Sequence, residues 1–128
     1  MKKSVLIWSI PLMLLFAFTQ DAFDQLGAAI RTGNARRISE YFGATVDFNL
    51  LEKEDVYGKG QAELMLRDFF AKNPPRDFQL VHQGKSPEGT KYGIGNLTST
   101  NGKNFRISFY LKTSDGKQII KEFWVEAD

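Results

Sequence analysis

Apolar positions along this chain change spacing twice, and the changes mark out its elements. Over 21–32, Phe23, Leu26 and Ile30 recur at i, i+3 and i+7, the stripe of a helix. Gly33 suits the left-handed residue that ends a helix, and Asn34 suits the N-cap of the next. That second helix is expected to carry Ile38, Tyr41 and Phe42 on one side and to end at Gly43. The period then drops to two over 45–51, where Val46, Phe48 and Leu50 face one way and Asp47 and Asn49 the other. This alternation predicts a half-buried strand. A charged turn over 52–57 leaves room for a short return strand. The helical period resumes over 60–72 with Ala62, Met65, Leu66, Phe69 and Phe70, a wide apolar face. Asn73-Pro74-Pro75 terminates it, because proline cannot continue a helix.

Everything beyond Pro75 reads as β. Four strands are expected, at 77–83, 91–99, 104–112 and 117–126, with Phe105, Ile107, Phe109 and Leu111 as the clearest inward row. Asn101-Gly102 and Asp115-Gly116 are strong hairpin dipeptides, since both residues tolerate positive φ. Helices followed by a meander predict an α+β domain, its helices packed on one face of a curved antiparallel sheet.

The N-terminus belongs to a different pattern. Met1-Lys2-Lys3-Ser4 precedes an apolar run over 5–18, and Ala17 and Thr19 fit the small positions before a cleavage site. Positive start, short apolar run and small exit describe a secretory signal peptide. A membrane-spanning helix needs about 20 apolar residues; this run is shorter and Pro11 interrupts it. Residues 1–20 are therefore expected to be a leader cut after Thr19 or Gln20, and 21–128 one domain, secreted or periplasmic. With no cysteine in the chain, lipid anchoring at a cut site, disulfides and thiolate chemistry are excluded.

The leader also changes the charge. Formal charge is +2, but Lys2 and Lys3 are two of the seventeen basic residues, leaving fifteen against fifteen acidic ones. A neutral domain without a basic stripe argues against nucleic acid as a partner. One histidine and no cysteine predict no metal site and no cofactor.

The order helix, helix, strand, helix, four strands resembles the nuclear transport factor two-like superfamily, a cone of cystatin-like α+β architecture. Ile30-Arg31-Thr32-Gly33-Asn34-Ala35-Arg36-Arg37-Ile38 carries the resemblance, as does Val56-Tyr57-Gly58-Lys59-Gly60 leading into Leu66-Arg67-Asp68-Phe69-Phe70. More narrowly, Asp68-Phe69-Phe70-Ala71-Lys72-Asn73-Pro74-Pro75 with His82-Gln83-Gly84 is similar to small exported bacterial proteins grouped as domain of unknown function 4783. The superfamily includes isomerases, dehydratases, dimerising factors and non-catalytic domains, so the resemblance implies a fold rather than an activity.

Candidate chemistry is sparse. His82 shares strand phase with Phe78 and Leu80, so it is expected to point toward the cone, either as a general base or as a strand-end histidine satisfied by one hydrogen bond. Glu122 shares phase with Ile120 and Trp124 and is the best acid–base partner on offer. An isomerase- or dehydratase-type enzyme would use this pair. Tyr41, Tyr57, Phe70, His82 and Tyr92 are the candidate lining of an apolar ligand pocket, or ordinary core and rim packing. Tyr110 and Trp124 fall on the second sheet face, the usual dimer surface of the superfamily the chain resembles. Gly93 and Gly95 suit bends in a curved sheet. The leading expectation is a non-catalytic domain that binds a small apolar ligand or a protein partner, a second copy or an envelope protein.

Overall fold

Helix α1 (Ala22–Arg31) begins where the Asp21 side chain accepts the Asp24 backbone N–H at 3.0 Å. It buries Phe23, Leu26, Ala29 and Ile30. Gly33, at φ +66°, closes it: the Asn34 N–H donates to Ala29 O at 2.8 Å and the Gly33 N–H to Ile30 O at 3.0 Å. Two otherwise orphaned carbonyls are satisfied in this way. Asn34 then caps α2 (Ala35–Ser39) by accepting the Arg37 N–H at 3.0 Å. The computed structural model describes residues 21–128, and the proposed leader lies outside them.

Helix α2 is shorter than its apolar spacing predicts. It stops at Ser39, and Phe42 and Gly43 already belong to β1 (Phe42–Leu50). The reason is tertiary. Phe42 pairs with Ile120, and the Ile120 N–H donates to Tyr41 O at 2.7 Å. A sheet partner nearly eighty residues away claims the backbone that local periodicity assigns to a helix.

The charged segment after β1 is a true strand, β2 (Lys53–Gly58), which pairs antiparallel with β1 through a turn that holds Leu51 at φ +62°. Helix α3 (Lys59–Lys72) follows, burying Ala62, Leu66, Phe69 and Phe70, with Met65 half-buried. Strands β3 (Pro75–Lys85), β4 (Lys91–Ser99), β5 (Asn104–Ser114) and β6 (Lys117–Ala127) form the meander. The six strands lie in the order β2-β1-β6-β5-β4-β3. One pair departs from the expected antiparallel sheet: β1 and β6 run parallel. Strands far apart in sequence can pair this way because the intervening elements form the long crossover that parallel strands need.

The concave face, under the helices, is filled with rings. Phe123 stacks on Phe48 at 6.0 Å and on Phe109 at 6.5 Å, Phe23 reaches Phe109 at 5.9 Å, and Phe69 meets Phe105 edge-on at 4.9 Å. Phe48, Phe78, Phe109 and Phe123 are fully buried. Glycines in β4 make room for two of them. A Cβ on Gly95 would stand 2.3 Å from Phe78 Cζ, and one on Gly93 would stand 2.7 Å from Phe109 Cζ. These glycines admit rings over the strand.

Candidate functional site

Two β-bulges decide which residues face outward. In β3, Leu80 pairs with Gly95 but His82 pairs with Ile94, so Val81 is an extra residue. In β6, Glu122 pairs with Tyr110 but Ile120 pairs with Leu111, so Lys121 is extra. One inserted residue inverts a period-two pattern from that point on. The phase that assigned His82 to the cone with Phe78 and Leu80, and Glu122 to a row with Ile120, is therefore corrected. Both side chains stand on the outer face, away from the helices.

Registers across the sheet place the outer face in rows. One row runs His82, Ile94, Ser108, Trp124, Asn49 and Glu54. The next runs Gly84, Tyr92, Tyr110, Glu122, Asp47 and Val56. His82 on β3 is three strands from Glu122 on β6. At about 4.8 Å per strand the gap is roughly 14 Å, far beyond a hydrogen bond. The pair required by the enzyme alternative is not assembled.

The other candidates for an apolar pocket are dispersed too. Tyr41 is half-buried at the end of α2 and donates its hydroxyl to Gln25 Oε1. Burial raises its pKa; nearby Arg37 pulls the other way and Glu40 adds to the rise. Tyr57 on β2 packs edge-on against Phe48 at 5.9 Å. Phe70 is buried against Phe69 at 5.4 Å. Tyr92 lies on the outer face over Gly84, whose absent Cβ leaves space for the ring. Among the described residues these side chains are spread over both faces of the sheet and do not line one cavity.

The structure does bring together an aromatic patch on the outer face. Tyr92 and Tyr110 sit 6.1 Å apart, with Trp124 and Glu122 on the neighbouring strand. Tyr110 is 41% exposed and Val56 58%. Beside them a hollow of about 310 Å³ lies among Asp47, Glu54, Asp55, Val56 and Trp124. Trp124 Nε1 and Asn49 Oδ1, from residues adjacent in the register, are buried and have no hydrogen-bond partner among the described residues. Buried polar groups usually find one.

A larger hollow, about 640 Å³, lies at the end of the sheet between the β1–β2 turn, the last turn of α3 and the end of β6. Sequence reasoning missed it, because its walls come from three distant segments. The consecutive Leu50 and Leu51 were the available signal. Among the described residues no group of three or more His, Cys, Asp or Glu is placed to hold a metal ion, and no helix is long and apolar enough to cross a membrane.

A six-stranded curved sheet with helices packed on its concave face defines the nuclear transport factor two-like class. A solved structure of this type with a long sheet shares the fold at 17% identity (TM-score 0.64, covering 80% of this chain and 94% of that one). Within the class, the chain belongs to the family described as Domain of unknown function (DUF4783), whose model matches residues 23–126. It is similar to the DUF4783 protein of Bacteroides ovatus ATCC 8483, at 29% identity and TM-score 0.75, covering 81% of this chain and 93% of that one. The Bacteroides fragilis YCH46 protein matches at 27% identity and TM-score 0.75, over 81% and 96% of the two chains. The Bacteroides uniformis ATCC 8492 protein matches at 25% identity and TM-score 0.77, over 84% and 98%. No curated protein matches the chain.

Proposed function

We propose that this chain is an exported, non-catalytic binding domain that docks a second copy of itself on the outer face of its sheet. The observation that carries the reading is the aromatic patch of Tyr92, Tyr110 and Trp124 on the outer face. The aromatic filling of the cone's centre supports it as well, since Phe48, Phe78, Phe109 and Phe123 are fully buried there.

Charge placement favours a second copy. Asp47, Glu54 and Glu122 lie toward the β2 side of the outer face, while Arg106 and Lys112 lie toward the β3 side. A two-fold axis along the strands sets each side over the other side of its mate. Such an isologous contact is self-complementary.

Sedimentation equilibrium tests this. Wild-type protein should show a monomer–dimer equilibrium. Trp124→Ala should weaken it about 30-fold, since a central aromatic anchor contributes about 2 kcal/mol or more. Glu122→Lys should weaken it as well. A wild-type chain that remains monomeric at high concentration would overturn the proposal.

A further inference from the structure

We propose that Arg106 and Glu126 meet their counterparts on a second copy as a closed ring of alternating charges around the two-fold axis. The ring fixes how the two copies are oriented and makes their association sensitive to salt. This contact rests on the self-association reading above and deepens it by naming the register in which the copies dock.

Arg106 on β5 and Glu126 on β6 lie directly opposite each other on the outer face, next to the row that holds Trp124. Arg106 is exposed and Glu126 half-buried. Among the described residues neither forms an ion pair. Opposite charges that stand side by side and stay unpaired leave both heads available to another contact. Strands β5 and β6 are also the middle of the order β2-β1-β6-β5-β4-β3. On the convex face of a curved sheet the middle strands stand highest, so a second copy meets them first.

The registers discriminate between possible axes. An axis along the strands, between β5 and β6, sets each β5 residue over its register partner on the second copy. Arg106 then lies over Glu126, Tyr110 over Glu122 and Ser108 over Trp124. No like charges meet, and symmetry makes each contact twice. Stacked sheets lie about 10 Å apart, a gap that an arginine and a glutamate span together from opposite sides. An axis along β6 itself sets Glu122 and Glu126 over their own counterparts. An axis across the strands is no better. Through the Trp124 row it sets Glu122 over Glu126, and through the Tyr110 row it sets Glu122 over itself. Midway between those rows it sets Arg106 over Lys112. Like charges facing each other at an interface are strongly penalised.

Sedimentation equilibrium of the exported chain and its charge variants tests the proposal. Glu126→Arg places cations all around the axis and should weaken association about tenfold or more, because symmetry repeats the repulsion. Arg106→Glu should weaken it comparably. Both changes in one chain keep the net charge and restore the alternation, so affinity should return to within about threefold of wild type. Salt at about 1 M, where the Debye length is roughly 3 Å, should narrow the gap between wild type and the single variants. Thermal melts of the same samples read folding. Glu126→Gln, which removes a charge without adding one, keeps the test open if a swap unfolds the chain, and should weaken association about threefold. A folded Glu126→Arg protein that associates as tightly as wild type, or more tightly, overturns the proposal while self-association stands. A folded double variant no tighter than the single ones does the same. A wild-type chain that stays monomeric overturns the self-association reading itself, and this contact with it.

Discussion

Replacing Gly95 with alanine adds one methyl group to the centre of β4. Built on the backbone, that carbon lies 2.3 Å from Phe78 Cζ, 2.5 Å from Phe78 Cε1 and 2.7 Å from the Gln79 carbonyl oxygen. Ordinary contacts begin near 3.4 Å, so the ring would have to retreat by about an ångström or more. Phe78 has 0% exposure, so its ring has no solvent to move into. The Gln79 carbonyl is harder to displace, because Gln79 is held in register opposite Asn96 in the β3–β4 ladder. Overpacking a core costs about 1–3 kcal/mol, and the backbone contact places this case toward the upper end. Alanine regains roughly 0.5–1 kcal/mol of the unfolded-state entropy that glycine loses. The net expectation is a loss of about 2 kcal/mol, or a melting temperature lower by roughly 8 °C for a domain this size. Urea unfolding, with the midpoint shifted and the slope unchanged, is the assay. Gly27→Ala is the internal comparison: Gly27 lies inside α1, nothing stands within 4 Å of its Cβ position, and the change should stabilise by about 0.5–1 kcal/mol. Two shifts of the same sign, or a Gly95→Ala protein as stable as wild type, would refute the reasoning.

Phe69→Ala removes a ring that is 3% exposed and packed on Phe105; it should cost about 3–5 kcal/mol, and an unchanged thermal melt would show the α3 face to be misassigned. Burial raises the Tyr41 pKa in the folded chain, so its contribution is fully present below the unfolded value of about 10 and is lost as pH rises through the folded one. Stability should therefore fall with pH in that alkaline window, and Tyr41→Phe should flatten the fall; equal slopes for the two proteins would contradict the assignment. Intact mass of protein recovered from outside the cytoplasm should begin at Gln20 or Asp21, whereas a retained Met1 would exclude leader removal.

Much of the architecture was legible because it is local. The α1 stripe, the Gly33–Asn34 junction, the α3 face and the Asn101-Gly102 and Asp115-Gly116 turns each depend on residues within a few positions of one another. In the structure Gly33, Gly102 and Gly116 adopt the positive φ their positions suggested. The inward row Phe105, Ile107, Phe109 and Leu111 is buried throughout, because β5 carries no inserted residue and its alternation runs unbroken.

The candidate site was not legible in the same way. Val81 and Lys121 look like ordinary strand residues, yet each shifts the register by one and turns His82 or Glu122 to the opposite face. Phe42 completes a convincing helical stripe until Ile120 pairs with it. The hollow beside Leu51 needs the β1–β2 turn, α3 and β6 to converge before it exists. The sequence by itself determined element type, turn position and the composition of the core, because these follow from side-chain periodicity and backbone preference over short spans. Only the tertiary structure decided register, sheet order and which side chains share a surface. Those depend on pairings between distant strands, where one extra residue reverses every side chain that follows.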